Sequence, residues 1–194
     1  MSVRAKKRAS YEDLLEVPEP FVAEIIDGVL HVRPRPAKPH AAAASALGEE
    51  LGPPFKRGRG GPGGWLILDE PELHLRDDIV SPDLAGWRRE RMPSLDDRPY
   101  FELAPDWACE VLSRSTAIRD RTSKLSIYRR EGVSHVWFVD PLVRTLEVLR
   151  RTDDGWLLAL VDGGDVKVRA EPFDAIELDL AVLWQDVVLP DSGP

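Results

Sequence analysis

The stretch WACEVLSRSTAIRDRTSKLSIYRREGVSHVWFVD, residues 107–140, decides the fold. Its first part, residues 107–112, is short and mostly apolar, which is the length and character of a buried strand. Residues 118–131 follow with Ile118, Leu125 and Tyr128 at spacings of seven and three along one helical face. Gly132 stands where a helix commonly ends, because a residue without Cβ takes the left-handed cap conformation without steric cost. Residues 136–139 are apolar at every position, as a central strand covered on both faces must be. Strand, helix and strand in this order predict an α/β fold, with helices lying against a mixed β-sheet.

Working upstream, Ser10 caps a short helix over 11–15, with Asp13 three residues on as its capping-box partner. Residues 22–26 and 29–32 flank Asp27-Gly28, a pair that supplies the positive φ a two-residue turn needs, so an N-terminal hairpin is expected. After Pro34, Pro36 and Pro39, residues 40–56 form an alanine-rich helix with Leu47 and Leu51 one turn apart; Gly52-Pro53-Pro54 frays its end. Residues 58–64 hold five glycines and read as a mobile loop, not a phosphate loop, since no Gly-Lys-Ser/Thr follows. Strands are expected over 64–68, 72–75 and 79–87, then a polar loop over 88–105. Downstream, 145–149, 156–161 and 166–168 form a C-terminal β-meander, and the apolar run 176–184 packs the end of the chain.

The 194 residues suit one domain. It is expected over 10–185, between a flexible basic N-terminus (1–9) and a C-terminal tail (186–194). The charge is uneven: residues 61–112 carry 5 Lys/Arg against 12 Asp/Glu, whereas 113–151 carry 9 against 4. The total of −8 disfavours a broadly basic nucleic-acid binder, but the basic block keeps Arg119, Arg121, Arg129 and Arg130 as candidates for phosphate contacts. One cysteine, Cys109, excludes an internal disulfide framework and a cysteine zinc site; its apolar neighbours mark it as a core thiol. Four scattered histidines lack metal-ligand spacing. No apolar run is long enough for a membrane span, and no apolar stretch follows the basic start, so a cytoplasmic protein without a membrane partner is expected.

The chemistry is signalled by acids on otherwise apolar strands. Asp83, in Ser-Pro-Asp-Leu-Ala, and Glu110, in Cys-Glu-Val-Leu, each project from a predicted strand, and an unpaired buried carboxylate is costly. Two of them side by side want a cation between them, and oxygen donors without sulphur or imidazole suit Mg²⁺ or Mn²⁺. Each acid could instead pair with an arginine or lie on a solvated edge. Lys124 borders the apolar stripe of the next helix and can reach the same place. Two acids and a lysine are the minimum set for metal-assisted phosphodiester hydrolysis.

Several ordered segments, YEDLL at 11–15, EIIDG at 24–28, SPD at 81–83, EVLSRST at 110–116, RDRTSKL at 119–125, Tyr128 and GVSHVWFVDP at 132–141, together resemble the Uma-two family of restriction-endonuclease-like proteins, within the PD-(D/E)XK nuclease superfamily. The resemblance spans about residues 10–185. It implies a restriction-endonuclease-like core with a divalent-metal site. Asp83 matches the aspartate of the Pro-Asp element and Glu110 the acid of the Asp/Glu-x-Lys element. Leu112 stands where many superfamily members carry lysine, and Lys124 looks like its relocated substitute. Glu24 matches a family acid and would be a further ligand or hold a water of the metal. His40 matches a histidine at the start of the first core helix, an accessory without an assigned role. Val29 departs from the usual glutamate after Asp-Gly.

The expectation is a Mg²⁺- or Mn²⁺-dependent DNA endonuclease, with Asp83, Glu110 and the Val111 carbonyl on the metal and Lys124 acting on the water or the transition state. The alternatives are a DNA-binding or protein-interaction module with an idle site, and a hydrolase acting on RNA. A homodimer would allow cleavage of both strands, with Trp156, Trp184 and the meander as candidate contact surface. Lys124→Met is expected to keep the fold and lose only cleavage.

Overall fold

The computed structural model describes residues 8–188. Ser10 caps α1 (Tyr11–Leu15) in a full capping box, its side chain accepting from the Asp13 N–H while Asp13 accepts from the Ser10 N–H. The strands β1 (Phe21–Ile26) and β2 (Val29–Pro34) form the expected hairpin; Asp27 and Gly28 adopt φ of 54° and 76°, the left-handed values the turn requires. The helix α2 (Lys38–Leu51) runs on into a wider π turn, Gly52–Lys56. Two strands, β3 (Trp65–Asp69) and β4 (Leu73–Leu75), come next.

The run 79–87 is not one strand. It divides into β5 (Asp78–Val80) and β6 (Leu84–Arg88), which belong to different sheets. Pro82 at the break lacks the N–H a ladder needs, so pairing stops there and the chain changes sheets. Asp83 therefore sits in a bend immediately before β6 and not within a strand.

The first sheet is antiparallel, in the order β2-β1-β5-β4. The second is mixed and six-stranded, in the order β10 (Trp156–Gly163), β9 (Thr145–Arg151), β8 (His135–Asp140), β7 (Trp107–Val111), β6, β3. Its centre is β7, buried at every residue and parallel to β8. The connection between them is the helical segment predicted over 118–131, formed as α3 (Ala117–Arg119), a π turn (Asp120–Lys124) and α4 (Leu125–Arg130). Gly132 closes it at φ 82°. The meander contributes only β9 (Thr145–Arg151) and β10 (Trp156–Gly163) to the sheet. Its third piece, β11 (Lys167–Val168), pairs instead with β12 (Leu178–Asp179) as a separate ribbon.

Side-chain alternation splits the apolar core across the large sheet. Cys109, Val111 and Trp137 pack with Ala43, Leu47 and Leu51 of α2 on one face. Ala108, Leu112 and Phe138 pack with Ile127 and Tyr128 of α4 on the other. Cys109 is the core thiol expected. Trp184 is also core, 1% exposed, so it offers no contact surface for a dimer. Trp156 is half-buried, its indole N–H donating to the Leu125 carbonyl at 3.3 Å. Residues 1–7 and 189–194 of the proposed N-terminus and tail lie outside the described residues. Ala9, by contrast, donates to the Gly28 carbonyl at 2.9 Å, and Val187 is buried.

Gly86 of β6 lies between Trp65 and Trp107; a Cβ there would stand 3.2 Å from a ring atom of each. Gly86→Ala is expected to cost about 1–3 kcal/mol by overpacking. Urea unfolding checks this, and wild-type stability would show that the rings yield freely.

Candidate active site

The site forms where the two sheets meet. Glu24 arrives on β1, Asp83 on the bend between β5 and β6, Glu110 on β7, and Asp120 and Lys124 at the two ends of the π turn. Glu24, Asp83, Glu110, Asp120 and Lys124 are all at most 5% exposed. Four carboxylates thus surround one ammonium.

Lys124 holds the cluster together. Its Nζ donates to Glu110 Oε2 at 2.6 Å, lies 3.1 Å from Glu24 Oε1 and 3.8 Å from Asp120 Oδ1, and reaches the Ser81 carbonyl at 3.4 Å. The other Glu110 oxygen accepts from the Tyr128 hydroxyl. Glu24 also accepts the Ser81 N–H at 3.0 Å. Asp83 is fixed from two sides: Oδ2 accepts the Val111 N–H at 2.6 Å, and Oδ1 lies 3.2 Å from His40 Nε2, on the first turn of α2. Asp83 is thereby tied to the residue next to Glu110.

The electrostatics follow from this geometry. Burial pushes Glu110 well above the ordinary carboxylate range, with Asp120, Asp83 and Glu24 adding to the shift and Lys124 opposing it. Glu24 is buried almost as deeply, yet Lys124 and the Ser81 N–H overcome its desolvation and hold it below the usual value. Burial acts to lower Lys124, but its ring of carboxylates outweighs burial and keeps it charged. Asp120 is raised, chiefly by burial.

All four residues expected to be catalytic, Asp83, Glu110, Lys124 and Glu24, are brought together, and His40 stands beside Asp83. Glu24 faces into the cluster and not toward solvent. The basic block divides differently. Arg121 is locked to Glu147 by two hydrogen bonds of 2.6 Å and lies over the Phe138 ring. Arg130 is paired with Asp78 at 2.8 Å and Glu131 at 2.6 Å. Arg129 reaches the Asp153 carbonyl at 3.4 Å, and Arg119 has no ion pair among the described residues. Asp120 and Tyr128 were given no role on sequence grounds. Their positions four residues before and after Lys124 are the available signal, since such residues share a helical face.

Among the described residues, no three of His, Cys, Asp and Glu converge so as to hold a metal ion by themselves. The set nevertheless fits a hard cation that takes one or two protein carboxylates and completes its shell with water and substrate phosphate, as Mg²⁺ does. Each Asp83 and Glu110 oxygen keeps a second lone pair beyond its hydrogen bond, and four carboxyl groups are buried beside a single lysine.

No helix among the described residues is long and apolar enough to cross a membrane. No curated protein matches the chain. A crystal structure of a putative nuclease belonging to DUF820 from Anabaena variabilis superimposes with a TM-score of 0.73 at 23% identity, covering 91% of this chain and 98% of that one. That likeness carries the restriction-endonuclease-like fold. Over residues 8–182 the chain matches the model of the Uma2 family, described as putative restriction endonuclease. The chain belongs to the Uma2 family.

Proposed function

We propose that the protein is a divalent-metal-dependent endonuclease that hydrolyses DNA phosphodiester bonds. The observation that carries this reading is four carboxyl groups buried around a single lysine, with Glu110 and Asp120 pushed above the ordinary carboxylate range. Acids held in that state cost stability, and a divalent cation would relieve them. Asp83, Glu110 and the Val111 carbonyl are the groups that would hold Mg²⁺ or Mn²⁺. When bound there, the ion neutralises charge on the scissile phosphate and makes the attacking water more acidic.

The chain's own residues do the rest. The Val111 N–H and His40 orient Asp83. Tyr128 and Lys124 orient Glu110, one on each oxygen. Lys124 supplies a fixed positive charge beside the reacting phosphate, acting on the water or on the charge that develops in the transition state. Glu24 keeps Lys124 in place and offers an acceptor to a water.

The reading is tested by thermal unfolding with and without Mg²⁺. Saturation at about 100 times Kd is expected to stabilise the wild type by about 2.7 kcal/mol. Asp83→Asn should abolish most of that gain together with plasmid cleavage. Wild-type metal response and cleavage in Asp83→Asn would remove the assigned site. One observation favours a protein-interaction module with an idle site instead: the ion pairs of Arg121 and Arg130 take two phosphate contacts out of use. A wild type that responds to Mg²⁺ but cleaves no DNA would establish that alternative.

A further inference from the structure

The β1–β2 hairpin has two faces. Ala23, Ile25 and Leu30 pack with Leu14 and Ile79 on one. The other carries Ile26, which packs with Leu112 and Tyr128, and Glu24, which reaches Lys124 at 3.1 Å. Register and alternation put two more side chains on that second face. His31 lies across from Glu24, and Arg33 across from Val22. Arg35 continues the row, because its N–H donates to the Pro20 carbonyl at 3.3 Å and extends the pairing past Pro34. Arg35 also lines the cleft that His40 and Asp83 border. His31, Arg33 and Arg35 thus form a row along the outer strand of the hairpin, about 6.8 Å apart as alternate residues of a strand are. The row begins beside an acid of the candidate site.

The cations of this row are unpaired. Arg33 is half-buried, and its Nε is buried with no hydrogen-bond partner among the described residues. A buried donor left unpaired is costly, which is the state of a group whose acceptor comes from outside the chain. Arg35 is exposed, and neither it nor Arg33 has an ion pair among the described residues, in contrast to Arg121 and Arg130. Arg119, half-buried on α3 and also without an ion pair among them, approaches the row: burial, and then the charge of Arg119, push His31 below its ordinary value. Glu24 is the one acid on this face of the hairpin. Lys124 and the Ser81 N–H hold it, and the pull of Arg33 comes after theirs. The free guanidinium groups therefore face an anion that the chain does not supply, and their planar forks match phosphate oxygens. We propose that Arg33, Arg35 and Arg119 bind backbone phosphates of the DNA beside the scissile one, so that the outer strand of the hairpin positions the substrate at Asp83 and Glu110. The inference rests on the nuclease reading. These are positioning residues, and contacts to phosphate set orientation without reading sequence.

The test is fluorescence anisotropy of a labelled DNA duplex across a salt titration, with EDTA present so that binding is read without cleavage. Arg33→Gln/Arg35→Gln should weaken binding about tenfold or more and lower the slope of log affinity against log salt by about 1.8, at about 0.9 per phosphate. Arg119→Gln alone should lower the slope by about 0.9. The control is Arg121→Gln/Arg130→Gln, which removes the same net charge from side chains already paired and should keep the wild-type affinity and slope. No binding of the duplex by the wild type, wild-type affinity and slope in Arg33→Gln/Arg35→Gln, or an equal loss in the control would each overturn the proposal. So would a lower melting temperature in Arg33→Gln/Arg35→Gln with the slope unchanged, since Arg33 would then serve only to hold Glu24. Cleavage is read separately. If Arg33→Gln/Arg35→Gln binds as wild type while Glu110→Gln is inactive, the phosphate row falls and the nuclease reading stands. If Glu110→Gln cleaves as wild type while Arg33→Gln/Arg35→Gln loses affinity and slope, the assigned nuclease site falls and the row stands.

Discussion

Lys124→Met is expected to lose about 10²–10⁴ in cleavage rate, as for removal of a proton-transfer or charge-stabilising group. It is also expected to lose about 3–5 kcal/mol of stability. The second loss corrects the expectation of a structurally silent change. Lys124 is 1% exposed and is the shared partner of Glu24 and Glu110. Methionine fills much of its volume but leaves those acids buried without their cation. Glu110, already pushed up by burial, can take a proton; Glu24, held low chiefly by Lys124, becomes the uncompensated charge. Adding Glu24→Gln to Lys124→Met should therefore recover part of the stability and none of the cleavage, a coupling of about 0.5–3 kcal/mol. Urea unfolding and single-turnover cleavage measure the two effects. Wild-type stability in Lys124→Met would show that the lysine does not balance the acids. Wild-type cleavage would end its assignment to the chemistry. Moving the amine back by Leu112→Lys is a poor rescue, since Leu112 is 3% exposed and packs with Ile127 and Tyr128.

Glu110→Gln should behave in the opposite way on stability. On the proposed reading, cleavage is expected to fall by about 10²–10⁴, since the variant loses a carboxylate that would hold the metal. Without metal, however, the variant should be as stable as the wild type or more so. The native carboxyl is driven well above its ordinary range by burial and by Asp120, Asp83 and Glu24. A group whose folded pKa is raised lowers stability as pH climbs above its unfolded pKa, so at neutral pH Glu110 opposes folding. Glutamine removes that burden, can still accept from Tyr128 or Lys124, and leaves Lys124 paired with Glu24. Melting curves from pH 4 to pH 8 in EDTA should show the gap between Glu110→Gln and wild type widening in favour of the variant as pH rises. The Mg²⁺-dependent rise in melting temperature should shrink in the variant. A variant much less stable than wild type at neutral pH would mean that Glu110 is a stabilising partner of Lys124 and not an acid held ready for a cation.

Local order was readable without the structure wherever neighbours in sequence decide it. The Ser10 capping box, the Asp27-Gly28 turn, the strand at 107–112 and the cap at Gly132 depend on φ preference, side-chain reach and alternation over a few residues, and each is observed. The family resemblance rested on the same kind of ordered local segments. What local pattern could not decide was which strands share a sheet. The apolar run 79–87 looked continuous because its residues are buried on both sides of Pro82, although the burial comes from two different sheets. The third strand of the meander left the large sheet for the same reason, since pairing partners are chosen over long range by core packing.

The candidate site divides along that line. The amino-acid sequence by itself determined which acids and which lysine stand on otherwise apolar strand and helix faces, because charge there is costly wherever it lies. Only the tertiary structure decided that Glu24, from the other sheet, lies 3.1 Å from Lys124, that Lys124 is buried and not at a helix edge, and that Arg121 and Arg130 are already paired. Those facts depend on contacts between residues tens of positions apart. Charge–charge energy depends on distance and on desolvation, and both are set by how the elements pack and not by their spacing along the chain.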